Sequence, residues 1–216
     1  MPRRKEKVGQ HGDRPSRSEE TQIGPQLCHP SPIKRLWDSA LPAARDFFVI
    51  FDLRILDNRS GLLQKHQMLY FAYGSNMDCA QMRRRCPSAH FVGVAKLPDH
   101  SLAFSRKSTK RGCGVADVVE RTGHGVWGVV YEIADPKDVS NLDRCEGVPS
   151  AYTKESRLVY LRDQPEPLRS VSVYFAVKQD NPPLPNAEYK ELIVRSAKFW
   201  QLPNEYIREL EQIAVE

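Results

Sequence analysis

The sequence predicts an α+β domain: a small mixed β-barrel or curled sheet with flanking helices. Three observations carry this. Between Leu69 and Val177, short runs rich in β-branched and aromatic residues recur, separated by polar or glycine-containing connections. Segments with helical spacing and clear end signals cluster near the two ends of that run rather than alternating with every strand, which argues against a parallel α/β sheet. Seven such short strands within one domain favour a sheet that curls on itself.

The elements follow in order from Met68. Leu69 to Tyr73 is an apolar strand, and a Gly-Ser-Asn turn leads into a helix from Asp78 to Arg85, with Met82 on its apolar side and Asn76 or Asp78 as its cap. His90–Leu97, Ser101–Phe104, Gly114–Val119 and Val126–Ile133 read as strands, with Gly128 marking a bulge or a close backbone approach. Asp135-Pro136 has the form of an N-cap followed by N1, and Gly147 is the stop of a helix that ends near Glu146. Strands follow near Tyr152–Leu161 and Ser170–Val177. After the Pro182-Pro183-Leu184-Pro185 loop, a helix starts at Asn186 or Ala187 and carries Tyr189, Leu192, Ile193, Ala197 and Trp200. Pro203 separates it from a last amphipathic helix with Tyr206, Leu210 and Ile213.

Residues 1–67 differ from the rest. They are rich in Arg, Lys, Pro, Ser, Glu and Gln, a composition that cannot offset its ordering entropy by burial, so a disordered N-terminal extension is expected before a single domain over 68–216. Only Phe47-Phe48-Val49-Ile50-Phe51 interrupts that segment, as a short strand or a partner-binding patch. Met68, directly before the first strand, reads as an alternative start, which makes the upstream residues an extended gene start.

Composition narrows the function classes. The net charge of +5 follows from 32 Lys and Arg against 27 Asp and Glu, yet Arg3, Arg4, Lys5, Lys7, Arg14 and Arg17 gather in the extension without interleaved aromatic residues. A solvated basic tail is therefore favoured over a nucleic-acid arm. No apolar run approaches the roughly 18 residues of a membrane span. The cysteines Cys28, Cys79, Cys86, Cys113 and Cys145 form no CxxC pair, and the histidines show no metal-ligand spacing, so neither a metal nor a disulfide framework is expected and a reducing cytoplasm fits.

Two places could carry chemistry. At Tyr70-Phe71-Ala72-Tyr73-Gly74-Ser75-Asn76 a strand delivers the chain to a corner, where Gly74 permits unusual dihedrals and a close ligand approach. Backbone N–H groups of such a corner suit a carboxylate or a developing oxyanion, although strand-Gly-helix corners also serve purely structural ends. Ser75 lacks the second glycine of a GxSxG elbow and reads as a turn hydroxyl. The second place is Glu146, at the end of a helix whose partial negative charge disfavours an ionised side chain by about 0.3–1 kcal/mol. A carboxylate poised for proton transfer explains that placement better than a stability-driven choice. Asp117, Glu120, Glu132, Asp143 and Glu155 are the competing carboxylates, and Tyr152, Tyr174 and Tyr189 either line a pocket or belong to the core.

Taken together, Tyr70–Asn76, Arg85-Cys86-Pro87-Ser88-Ala89, Val126-Trp127-Gly128-Val129-Val130-Tyr131, Leu142-Asp143-Arg144-Cys145-Glu146-Gly147-Val148 and Tyr189 resemble the γ-glutamylcyclotransferase-like family over about residues 68–203. The YGSN form is more similar to its γ-glutamylcyclotransferase branch than to the ChaC-type or γ-glutamylamine branches. The resemblance implies a small mixed α+β barrel, the YGSN turn as substrate-binding loop, Glu146 as general acid/base, and Tyr152, Tyr174 and Tyr189 as pocket tyrosines. The segment between Glu146 and Tyr152 is shorter than in animal members, which bears on Tyr152 alone. Implied too are a γ-glutamyl small-molecule substrate, cyclisation to 5-oxoproline without metal or organic cofactor, and a place in glutathione metabolism. A homodimer stays open, as do a non-catalytic binding protein on the same fold and nucleic-acid contact through the tail.

Overall fold

Five strands close into a barrel in the order β1-β3-β2-β4-β5. The computed structural model describes residues 67–216. Readings that concern residues 1–66, including the Phe47–Phe51 run and the basic cluster, lie outside the described residues. In chain order the elements are β1 (Met68–Ala72), a 3-10 turn (Ser75–Met77), α1 (Cys79–Arg85), β2 (Ala89–Lys107), β3 (Gly114–Ile133), α2 (Pro136–Glu146), β4 (Tyr152–Leu161), β5 (Pro167–Ala176), α3 (Ala187–Phe199) and α4 (Asn204–Glu211). All pairings are antiparallel except β1 with β5, whose parallel contact at Tyr70 and Ser172 completes the closure.

The seven expected strands are five, because two interruptions lie inside continuous strands. Between the pairs Pro98–Gly125 and His100–Glu120, the segment Arg121–His124 loops out of β3 opposite Asp99 alone. Asp99 and Gly123 take positive φ there, and the Gly123 N–H donates to the Asp99 carboxylate at 2.9 Å. A polar, glycine-containing stretch looks like a strand end in sequence. Here the chain on both sides of it returns to the same partner, so the stretch is a large bulge.

The helix boundaries follow local chemistry. Asp78 caps α1 by accepting from the Gln81 N–H, Asp135 caps α2 through the Lys137 N–H, and Asn186 caps α3 through the Tyr189 N–H. Gly147 ends α2 in the left-handed conformation at φ 70°, where it donates back to the carbonyl of Arg144. Asn76, the other cap weighed for α1, serves a different purpose described below.

The core fills the barrel and the seam beneath the helices. Phe71, Val126, Val129, Val130, Ile133, Val171 and Val173 are fully buried from the strands, and Leu142, Ile193, Ala197 and Leu210 are buried from the helices. Trp200 stacks on Phe91 at 4.2 Å between ring centroids and donates its indole N–H to the Met77 carbonyl at 2.7 Å. That bond ties the turn after β1 to the end of α3. Among the described residues, no helix is long and apolar enough to cross a membrane, and Cys86, Cys113 and Cys145 are free thiols.

Gly128 marks a close approach, one of the two readings its sequence position allowed. A Cβ there would stand 2.2 Å from the Ala72 carbonyl oxygen and 2.9 Å from the Phe71 ring. Since backbone cannot yield as a flexible side chain does, Gly128→Ala is expected to cost about 1–3 kcal/mol. At roughly 2–4 °C per kcal/mol for a chain of this size, thermal unfolding should show a clearly lowered midpoint, and an unchanged midpoint would mean that β1 and β3 part freely.

Candidate active site

The end of β1 delivers Asn76 into a cluster drawn from three elements. Asn76 is 4% exposed, and its amide nitrogen donates to the Tyr70 hydroxyl at 2.7 Å and to Glu146 Oε1 at 2.9 Å. Its amide oxygen accepts from Gln81 Nε2 at 3.0 Å and from Arg85 Nη1 at 2.8 Å. Both ends of the amide are thereby engaged, which fixes its orientation. Arg85 Nη1 also lies 2.6 Å from Glu146 Oε1.

Arg85 and Glu146 are brought together by the way α1 and α2 are fastened. Asn141 on α2 donates to the carbonyl of Arg85 at 2.6 Å, occupying one of the acceptors that the end of α1 leaves open. Asp138 accepts from the Ser88 N–H at 2.7 Å, and the Ser88 hydroxyl accepts from the Asp135 N–H. The C-terminal ends of two helices thus converge on one carboxylate. The guanidinium gives the Glu146 carboxylate a positive partner from another helix, besides the Arg144 that the last turn of α2 carries itself, a partner that the helix-end argument from sequence did not include.

Tyrosines surround this pair. Tyr70 packs edge-on against Tyr174 at 5.4 Å, the Tyr73 hydroxyl donates to the Tyr174 carbonyl, and the Tyr174 hydroxyl donates to Asp143 at 2.6 Å. Tyr152 and Tyr189 meet on the backbone of one residue: the Tyr152 hydroxyl donates to the Ala116 carbonyl at 2.8 Å, and the Tyr189 hydroxyl accepts from the Ala116 N–H at 3.2 Å. Ala116 lies where the β2–β3 register shifts between Ala103 and Arg106. The irregular ladder therefore presents backbone groups that two phenols satisfy. Burial is the largest influence raising the pKa of all five phenols, and the Glu146 charge adds to it. They stay neutral at physiological pH.

Gly74 differs in part from expectation. Its φ is −119° and its ψ −137°, so the left-handed conformation is not what calls for glycine. Space is restricted as well: a Cβ would stand 3.0 Å from the Ala116 Cβ and 3.4 Å from the Tyr189 hydroxyl. The Ser75 hydroxyl accepts from Gln81 Nε2 at 2.8 Å, which makes it a turn hydroxyl held by a side chain rather than by backbone. Phe71 and Ala72 are fully buried strand residues, with the Phe71 ring and the Ala72 carbonyl close to Gly128.

The competing carboxylates separate by environment. Asp117 is 1% exposed and accepts from the N–H groups of Val118 and Ala176 and from the Ser105 hydroxyl, binding β3 to the end of β5. Asp143 pairs with Lys154 at 2.7 Å, Glu155 pairs with Arg157, and Glu120 is exposed. Three site residues carried no clear sequence signal of their role. Gln81 stands three residues after Asp78, the spacing of a reciprocal cap, yet its side chain turns to Ser75 and Asn76. Arg85 ends a run of three arginines that reads as a favourable helix terminus. Arg111 lies in the β2–β3 turn, where a cation is ordinary; its guanidinium reaches Gln81 Oε1 at 3.1 Å.

Comparison with known proteins adds the relationship. The family described as "Gamma-glutamyl cyclotransferase, AIG2-like" matches residues 70–191. A Gamma-glutamylcyclotransferase of Bos taurus is 34% identical over 166 residues, covering 75% of this chain and 83% of its own. The Homo sapiens protein of the same name is 32% identical, with 69% and 80% covered. A solved structure titled "Gamma-glutamyl cyclotransferase" superposes with a TM-score of 0.64 at 31% identity, covering 69% of this chain and 89% of its own. Sequence, fold and the shared barrel agree, and the chain belongs to the gamma-glutamyl cyclotransferase, AIG2-like family.

Proposed function

We propose that this enzyme of the γ-glutamylcyclotransferase type releases 5-oxoproline from γ-glutamyl compounds with Glu146 as its one proton carrier. The observation that carries the reading is the way Glu146 is held. Both hydrogen bonds to its carboxylate, from Asn76 and from Arg85, fall on Oε1. Oε2 carries neither and is the oxygen to meet substrate. The side chain is 16% exposed, enough for a small molecule to reach while most bulk water is excluded.

The chemistry follows from the substrate class. The α-amine of a γ-glutamyl group is mostly protonated at neutral pH, and Glu146 takes that proton. The freed amine attacks the γ-carbonyl carbon and forms the lactam C–N bond. Collapse of the tetrahedral intermediate breaks the original amide bond: Glu146 returns the proton to the departing nitrogen, and the second proton shed by the attacking nitrogen passes the same way, so that the lactam nitrogen is left neutral and the departing amine leaves as ammonium. Because the attack is intramolecular, holding the chain curled supplies the proximity advantage without a covalent enzyme intermediate. The five neutral tyrosines act as walls and hydrogen-bonding groups, which leaves the proton transfer to the carboxylate. Strand pairing of β1 ends at Ala72 and the 3-10 turn first bonds from Met77 to Gly74. The N–H groups of Tyr73, Gly74 and Ser75 between them are the donors for the substrate carboxylate or the oxyanion. The free thiols Cys86, Cys113 and Cys145 support a reducing cytoplasm as the compartment, and the domain from Met68 onward is the active unit.

Glu146→Gln keeps the shape but cannot accept a proton. It should lower kcat by at least ~10²-fold with folding intact, measured as 5-oxoproline release from a γ-glutamyl amino acid. Retention of more than about a tenth of wild-type kcat contradicts the assignment.

Gly74→Ala should impair turnover through the turn, since the added methyl presses on Ala116 and the Tyr189 hydroxyl. The check is KM and kcat beside the thermal midpoint: a fold-neutral variant with wild-type kinetics removes the turn from the site.

A shortened chain that begins at Met68 should keep the activity and the midpoint of the full chain. A midpoint lower by more than about 4 °C would mean that residues 1–67 contribute roughly 1 kcal/mol or more of packing.

A further inference from the structure

We propose that Arg111 selects the leaving half of the substrate by binding the carboxylate of a departing amino acid. The inference rests on the γ-glutamyl reading above and adds to it the class of the leaving group. Arg111 belongs to the short turn between β2 and β3, which is closed by the Ser108 N–H to the Cys113 carbonyl at 2.9 Å and by the Gly112 N–H to the Ser108 carbonyl at 2.8 Å. The Arg111 N–H donates to the Ser108 hydroxyl at 3.2 Å, so the residue is anchored within a defined turn.

Two contacts from other elements then orient its guanidinium. It lies over the ring of Tyr189, from α3, with Cζ 4.6 Å from the ring centroid, and Nη2 donates to Gln81 Oε1, from α1, at 3.1 Å. Tyr189 accepts from the Ala116 N–H and lies beside Gly74, and Gln81 holds Ser75 and Asn76. Arg111 is thus attached to the same side chains that form the turn. A ring face and one amide oxygen use little of a fork of five N–H donors. None of the ion pairs among the described residues involves it. A planar, permanently charged fork held in this way matches a carboxylate.

Position assigns the carboxylate. The reacting γ-glutamyl half is assigned to Gly74 and Glu146, beside the buried Asn76, Tyr70 and Tyr73. Arg111 is partly exposed and its guanidinium meets this group through Gln81 and Tyr189, so the proposal sets it against the substituent on the departing nitrogen. A γ-glutamyl amino acid places its carboxylate on that nitrogen's α-carbon, whereas a γ-glutamylamine has none.

The test compares the full chain with Arg111→Ala and Arg111→Gln on two substrates, γ-glutamyl-L-alanine and γ-glutamylethylamide. The two share the γ-glutamyl half, and only the first has a carboxylate on the leaving side. Release of 5-oxoproline is followed by mass. The wild-type chain should favour γ-glutamyl-L-alanine, and both variants should lower the ratio of kcat/KM for the alanine substrate over the ethylamide by at least about tenfold, mainly through KM. Arg111→Gln keeps the stem and a donor amide, so it reports on charge if Arg111→Ala loosens the turn. An unchanged ratio, or an equal fall on both substrates, overturns the proposal and makes Arg111 a support for Gln81 and Tyr189. If the wild-type chain releases 5-oxoproline from neither substrate, the γ-glutamyl reading itself falls, and the proposal with it.

Discussion

The fully engaged amide of Asn76 is the constraint on which the site depends. A buried amide with an unused donor or acceptor costs about 1–3 kcal/mol, and here four partners from β1, α1 and α2 satisfy it. Each of those elements must therefore stop in the right place. β1 must bring Tyr70 beneath the turn, α1 must present Gln81 and Arg85 one turn apart on one face, and α2 must end with Glu146 opposite Arg85. The carboxylate and the guanidinium, both partly buried, add to the constraint, because removing either would leave the other charge poorly compensated.

The barrel explains why these ends meet. Closure between β1 and β5 places Tyr70 of one strand beside Tyr174 of the other, so that the two rings pack edge to face. The bulges in the long β2–β3 hairpin do the complementary work. The register shift around Ala116 releases that residue's N–H and carbonyl from the ladder, and Tyr189 from α3 and Tyr152 from β4 bind them. An irregularity that a regular sheet would exclude thereby becomes the point at which two distant elements attach. Trp200 completes the frame by holding the turn from behind through the Met77 carbonyl.

The electrostatics divide the labour among groups that look alike in sequence. Five buried phenols have their ionisation pushed up by desolvation and by the nearby carboxylate, which keeps them as neutral donors and acceptors. The Cys86 thiol is pushed up to about 12, burial being the larger cause and Asp138 the next, so it stays protonated beside the site. Among the carboxylates, Asp117 is consumed by backbone donors and Asp143 by Lys154 and Tyr174. Glu146 combines a charged partner and a helix end with the buried amide of Asn76 as a donor.

The sequence by itself determined the local features: the cap at Asp135, the choice of Asn76 or Asp78 at the start of α1, the stop at Gly147 that places Glu146 on the last turn of α2, a first strand that begins within one residue of Leu69, and the motifs that mark the family. Such signals are legible because each arises from a residue's own backbone preferences or from a neighbour within one turn. Only the tertiary structure decided that seven apparent strands are five, that space beside Gly74 is restricted, that Gln81 and Arg85 bind Asn76, and that Arg111 reaches Gln81. Arg85 and Glu146 are separated by 61 residues, and Tyr189 and Ala116 by 73. No periodicity or local propensity reports a contact over that distance. It exists because closing the barrel and docking α1 on α2 leave buried polar groups that must find partners.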